Sequence, residues 1–123
     1  MNFYEFYWAD SNIQSIHIEY DRATLVVWNQ ILKMPLSVVC SGLAGITNLC
    51  IWDDTIIVDA QVFSVDETDS GFVKKIFEVY DKDFDYGGRK LNDGLLELKI
   101  ELANGISFSI YCMKIQVIES NEH

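Results

Sequence analysis

With 123 residues the chain has room for one domain spanning 1–123 and not for two, and half of its residues are hydrophobic, which excludes a disordered chain. Nineteen acidic residues against nine basic ones leave a net charge of −10, a field that repels nucleic acid and anionic membrane and attracts basic proteins or cations. No apolar run approaches the ~20 residues of a spanning helix, and the opening MNFYEFYWAD lacks the basic and long apolar parts of a signal peptide, so a cytoplasmic location is expected.

The chain is punctuated by turn residues between alternating segments, which is the signature of strands. Ser15–Asp21 alternates Ile16, Ile18 and Tyr20 with Ser15, His17 and Glu19. Leu25–Trp28 follows, and a four-residue loop would pair Tyr20 with Leu25 and Ile18 with Val27, setting His17 across from Trp28. Leu36–Cys40 reads as a strand and Ser41–Gly45 as a turn. Two further strands are expected at Ile46–Trp52 and Ile56–Val65, the second with Ile56, Val58, Ala60 and Val62 on one face.

Val73, Ile76, Phe77 and Tyr80 fall at i, i+3, i+4 and i+7, which predicts one amphipathic helix over about 70–80. Asp69 and Ser70 are its candidate N-caps. At the end of the chain Leu96, Leu98, Ile100 and Leu102 alternate with charged residues, and Ile106, Phe108, Ile110 and Cys112 follow Ala103-Asn104-Gly105. A two-residue Asn-Gly turn would oppose leucines and serines. A three-residue loop with Gly105 left-handed instead pairs 102 with 106, 100 with 108 and 98 with 110, placing every apolar side chain on one face. Beyond Met113 the phase slips, because Ile115 and Val117 are odd, which predicts a bulge near Met113–Lys114. The fold class expected is α+β, a curved antiparallel sheet of about six to eight strands built from hairpins and packed against one helix.

Chemistry-bearing patterns are few. Cys40, Cys50 and Cys112 are an odd number with no close pair, which argues against a disulfide framework and for buried structural thiols. No glycine fingerprint, GxSxG or HExxH is present, and of the two histidines His123 is the last residue. Asp81-Lys82-Asp83-Phe84-Asp85-Tyr86-Gly87 sets three carboxylates at alternate positions, as in the first half of a calcium loop, since Ca²⁺ seeks several clustered oxygens. The glycine comes one place late, Gly88 stands where an aliphatic belongs, and Asn92 replaces the bidentate glutamate. Asp81, Asp83 and Asp85 are therefore the candidate metal ligands, Ca²⁺ is the one cofactor suggested, and Lys82, Arg89 or Lys90 could balance the acids without it.

Aromatic residues crowd the first eight positions, either closing one end of the core or offering a partner surface. Candidate partner-binding residues are Trp8, the turn acids Asp53 and Asp54, Tyr86, and the pair Glu97 and Tyr111, which the last hairpin sets side by side on its outer face. The thin catalytic inventory favours a non-catalytic protein-binding domain with a basic partner. The alternatives are a small enzyme or calcium module near the acidic loop 81–93, and a structural homodimer subunit.

The opening Trp8-Ala9-Asp10-Ser11-Asn12-Ile13-Gln14-Ser15-Ile16, followed by an alternating strand and an acidic turn, resembles the W-H-D-S-x-I-x-x-I start of small uncharacterised bacterial α+β proteins. Some proteins of that type are similar to immunity proteins of toxin systems. Gly45-Ile46, Trp52-Asp53 and the helix-then-hairpin order fit the same likeness. It implies an acidic immunity-type protein that occludes a basic partner. Ala9 stands where that pattern carries histidine, so Asp10 and Ser11 are read as turn-fixing residues.

Overall fold

The computed structural model describes residues 2–48, 55–66, 71–80, 85–86 and 89–120. A single 3₁₀ turn, Phe3–Glu5, precedes β1 (Asn12–Glu19), β2 (Arg22–Asn29), β3 (Met34–Ser41), β4 (Gly45–Ile46) and β5 (Ile57–Ser64). Helix α1 (Gly71–Val79) follows, then the two-residue strands β6 (Asp85–Tyr86) and β7 (Arg89–Lys90) and the single turn α2 (Leu91–Gly94). The chain ends with β8 (Leu96–Leu102), β9 (Ser107–Cys112) and β10 (Lys114–Glu119). Eight strands form two four-stranded antiparallel sheets, β1-β2-β3-β10 and β4-β9-β8-β5, while β6 and β7 make a small separate ribbon. The class is α+β as expected, and the eight strands, within the expected six to eight, are divided between two sheets in place of the one curved sheet expected.

The inner faces of the sheets enclose the main core. Leu25, Val27, Leu36, Val38 and Val117 come from the first sheet and Leu98, Ile100, Phe108 and Ile110 from the second, all nearly devoid of solvent contact. Burial of this apolar surface is the principal term holding the sheets together. Trp8 joins this core: its ring stacks on Phe3 at 4.9 Å, and its Nε1 donates to the Phe3 carbonyl at 3.0 Å. The turn after it is fixed by Asp10, at φ 65°, and by buried Ser11, whose N–H donates to the Trp8 carbonyl and whose Oγ accepts from Gln30 N.

The last hairpin has the expected register, Leu98 facing Ile110 and Ile100 facing Phe108. Leu102 N–H donates to the Ile106 carbonyl, Gly105 N–H donates to the Leu102 carbonyl, and Gly105 sits at φ 87°. Glycine is required there because a side chain at positive φ crowds the backbone. The phase slip at Met113 has a different cause from the predicted bulge. Met113 leaves the second sheet, donates its N–H to Ser41 O at 3.0 Å, and delivers β10 to the edge of the first sheet beside β3.

The first hairpin departs from the expected four-residue loop. Ile18 pairs with Ala23, His17 with Thr24 and Asn12 with Trp28, around a two-residue turn at Tyr20-Asp21, so Tyr20 is solvent-exposed. The register breaks between Ile13 and Ser15, leaving Gln14 unpaired, so Ile13 and Ile16 both face inward despite their opposite parity. The same device operates in β5. Val58 is skipped between Ile57 and Asp59, so Ile57, Ala60 and Val62 face the core while Ile56 and Val58 are exposed, in place of the single alternating face expected. Both bulges lie beside the bridge between Asn12 and Ile56, where Ile13 N–H donates to Thr55 O and Ile57 N–H donates to Ser11 O. Bulges raise local twist, and these two stand where the edges of the two sheets meet.

The strand expected at Ile46–Trp52 is confined, among the described residues, to Gly45–Ile46. Asn48, at φ 56°, turns the chain away, and residues 49–52 lie outside the described part. Helix α1 lies where its periodicity placed it, with Val73, Ile76 and Phe77 buried and Tyr80 half-buried; Asp69 and Ser70 lie outside the described residues. Its stripe packs with Tyr111, Met113, Leu91 and Leu95 into a second core on the outer face of the second sheet. Gly45 permits the close approach, since a Cβ there would stand 2.9 Å from Phe72 Cζ.

Candidate functional site

The outer face of the second sheet is divided. Across β5-β8-β9 its rows read Phe63–Glu97–Tyr111, Gln61–Lys99–Ser109 and Asp59–Glu101–Ser107, because opposed residues in an antiparallel ladder share a face. The helix covers the Tyr111 end, where Phe72 lies 5.3 Å from the Tyr111 ring. The β5–β8 half remains open among the described residues, with Asp59, Gln61, Phe63, Lys99 and Glu101 exposed.

Glu97 sits at the boundary between the covered and open halves. It is half-buried, and its Oε2 accepts from Ser109 Oγ at 2.6 Å and from Tyr111 OH at 3.2 Å. Ser109 is held in turn from the β4 side, its N–H donating to Thr47 Oγ1 and its carbonyl accepting from Thr47 N–H. Two donors on one oxygen fix the carboxylate's orientation, and no cation among the described residues neutralises it. A carboxylate so oriented suits a charge-assisted bond to an incoming arginine or lysine.

Asp59 and Glu101 add to that demand. They stand directly opposite each other on the β5–β8 ladder, and neither makes an ion pair among the described residues. Directly opposed like charges cost roughly 0.2–1 kcal/mol. Lys99, one row away, is the one base in the three rows. Beside these charges Phe63 presents a ring that is 42 % exposed, giving the face an apolar anchor between carboxylates.

The structure thus brings Glu97 and Tyr111 together as the hairpin register predicted, but Tyr111 is only 5 % exposed and belongs to the helix–sheet core. Trp8, also 5 % exposed, belongs to the main core, where its ring stacks on Phe3. Tyr86 and Asp85 form β6, opposite Arg89 and Lys90, and only their backbone is described. Asp53, Asp54, Asp81 and Asp83 lie outside the described residues. Among the described residues no group of three or more metal-binding side chains occurs. Asp59, Glu101 and Phe63 were missed in the sequence. The signal was their outward parity on β5 and β8, which could be used only once the Val58 bulge and the β5–β8 pairing were known.

A separate cavity of about 210 Å³ lies where the β1–β2 turn meets the end of α1, walled by Tyr20, Asp21, Leu43, Tyr80, Leu91 and Met113. Its described lining carries one carboxylate and two phenols on an otherwise apolar wall. Among the described residues no helix is long and apolar enough to cross a membrane. No family model and no curated protein matches this chain.

Proposed function

We propose that the chain is a non-catalytic protein-binding domain that receives a basic protein surface on the open half of its second sheet, in the manner of an acidic immunity-type protein. The carrying observation is the directly opposed pair Asp59 and Glu101, exposed and without a cation among the described residues. A fold that tolerates this repulsion gains back more than it loses when a partner's lysine or arginine bridges the two carboxylates. Glu97, pre-oriented by Ser109 and Tyr111, supplies a third contact, and Phe63 supplies contact area of the kind that anchors an interface. The net charge of −10 adds long-range attraction, which speeds encounter with a basic domain.

The test is a matched pair of captures from the native host's lysate, using the unaltered chain and the Asp59→Lys, Glu101→Lys variant as baits. The expected result is one basic protein held at near-equal stoichiometry by the unaltered chain, released by high salt and lost from the variant. Capture that is indifferent to the charge reversal overturns the assignment of this face.

A further inference from the structure

Cys40 and Cys112 are far apart in sequence and adjacent in the fold. Cys40 points inward from β3 and Cys112 points inward from the last position of β9, both 0 % exposed and both in the core between the sheets. Among the described residues, each stands beside one of the two places where the chain passes between the sheets, Cys40 before the β3–β4 passage and Cys112 before the β9–β10 passage. Met113 N–H, immediately after Cys112, bonds at 3.0 Å to the carbonyl of Ser41, immediately after Cys40. Both are free thiols.

We infer that Cys40 and Cys112 form an oxidisable dithiol, which a low-molecular-weight disulfide such as oxidised glutathione converts into a disulfide stapling the two sheets. One cysteine sulfur, as thiolate, attacks a sulfur of oxidised glutathione, forming a mixed disulfide and releasing one glutathione thiolate. The second cysteine sulfur then attacks the protein sulfur of that mixed disulfide and releases the second glutathione. Two electrons pass to glutathione, and the two cysteine protons end on its two thiols. Full burial means neither sulfur is attacked while the sheets are closed, so the exchange proceeds during folding or when the Met113 crossing opens. In a reducing compartment the pair stays a dithiol; in an oxidising one it closes a long loop and restricts the unfolded chain. The inference is independent of the proposed partner face, because neither sulfur touches it.

The experiment refolds the Cys50→Ser chain, which removes the third thiol, in a buffer of oxidised and reduced glutathione. The expected product is lighter by two hydrogens, carries no glutathione, joins the Cys40 and Cys112 peptides on mapping, and melts several degrees higher until a reducing agent is added. A product that stops at glutathione adducts, or that keeps two alkylatable thiols after refolding, overturns the inference, since either outcome means the sulfurs do not reach bonding geometry. If Cys50→Ser does not fold, the same mapping on the unaltered chain decides: a bridge to Cys50 overturns the inference and a Cys40–Cys112 bridge supports it.

Discussion

Asp59 on β5 and Glu101 on β8 face each other directly across the ladder on the exposed side of the sheet, and neither makes an ion pair among the described residues. That relationship sets stability against binding. Asp59→Lys turns a repulsive pair into an attractive one, so it raises stability by about 0.5 kcal/mol, within the range for cross-strand charge pairs. The same change is expected to weaken capture of the proposed basic partner. Urea midpoints and the lysate capture together check this, and a variant both less stable and fully competent in binding contradicts it.

Glu97→Gln keeps the shape of the side chain and its acceptor oxygen, so the bonds from Ser109 Oγ and Tyr111 OH survive. Stability is expected to change by less than about 1 kcal/mol, since one charge-assisted bond becomes neutral. Partner dissociation is expected to accelerate, measured by surface-immobilised binding kinetics once a partner is in hand.

Gly45 and Phe72 are sterically matched. A Cβ at position 45 would stand 2.9 Å from Phe72 Cζ, so Gly45→Ala displaces the ring and costs about 1–2 kcal/mol. In a Phe72→Ala background the same change is expected to cost about 1 kcal/mol less. A double-mutant cycle in denaturant reads the difference; equal costs in both backgrounds remove the contact as the cause.

Gly105 is a test of backbone strain alone. Nothing lies within 4 Å of a Cβ added there, while its φ is 87°. Gly105→Ala is expected to lose about 1 kcal/mol with no steric clash, and Gly105→Asn less, because asparagine tolerates the left-handed region. Chemical denaturation of both variants checks the order.

Alkaline pH offers a further handle on stability. The neighbouring Cys112 thiol, and burial after it, push the Cys40 thiol far above its ordinary range. The group stays protonated in the folded chain while the unfolded chain loses the proton above about pH 8.5. The unfolded state then binds fewer protons, so stability present at neutral pH falls as pH rises through the unfolded value, by up to ~1.4 kcal/mol per unit. Urea midpoints between neutral and alkaline pH are expected to show this decline, reduced in Cys40→Ala.

The legible parts of the fold were those whose information is local. The helical stripe of Val73, Ile76, Phe77 and Tyr80, and the choice of a three-residue loop for the last hairpin, needed only parity and one glycine. In the first hairpin alternation alone sets Tyr20 on the apolar face, whereas the tight turn at Tyr20-Asp21 leaves it in solvent and Ile18 opposite Ala23. Glu97 and Tyr111 were legible as neighbours from their register. That a helix covers Tyr111 and stops short of Glu97's other side was not.

The sequence by itself determined the class of the protein, the helix, the final hairpin and the acidic field, because alternation, helical periodicity and charge are properties of neighbouring residues. Only the tertiary structure decided that the strands divide into two sheets, that Met113 is a crossing between them, and that Gln14 and Val58 are bulges. It also decided that Asp59 and Glu101 confront each other. Strand pairing is settled by the burial of whole faces against one another, and a one-residue bulge reverses which side of a strand faces water without leaving a mark in the local pattern.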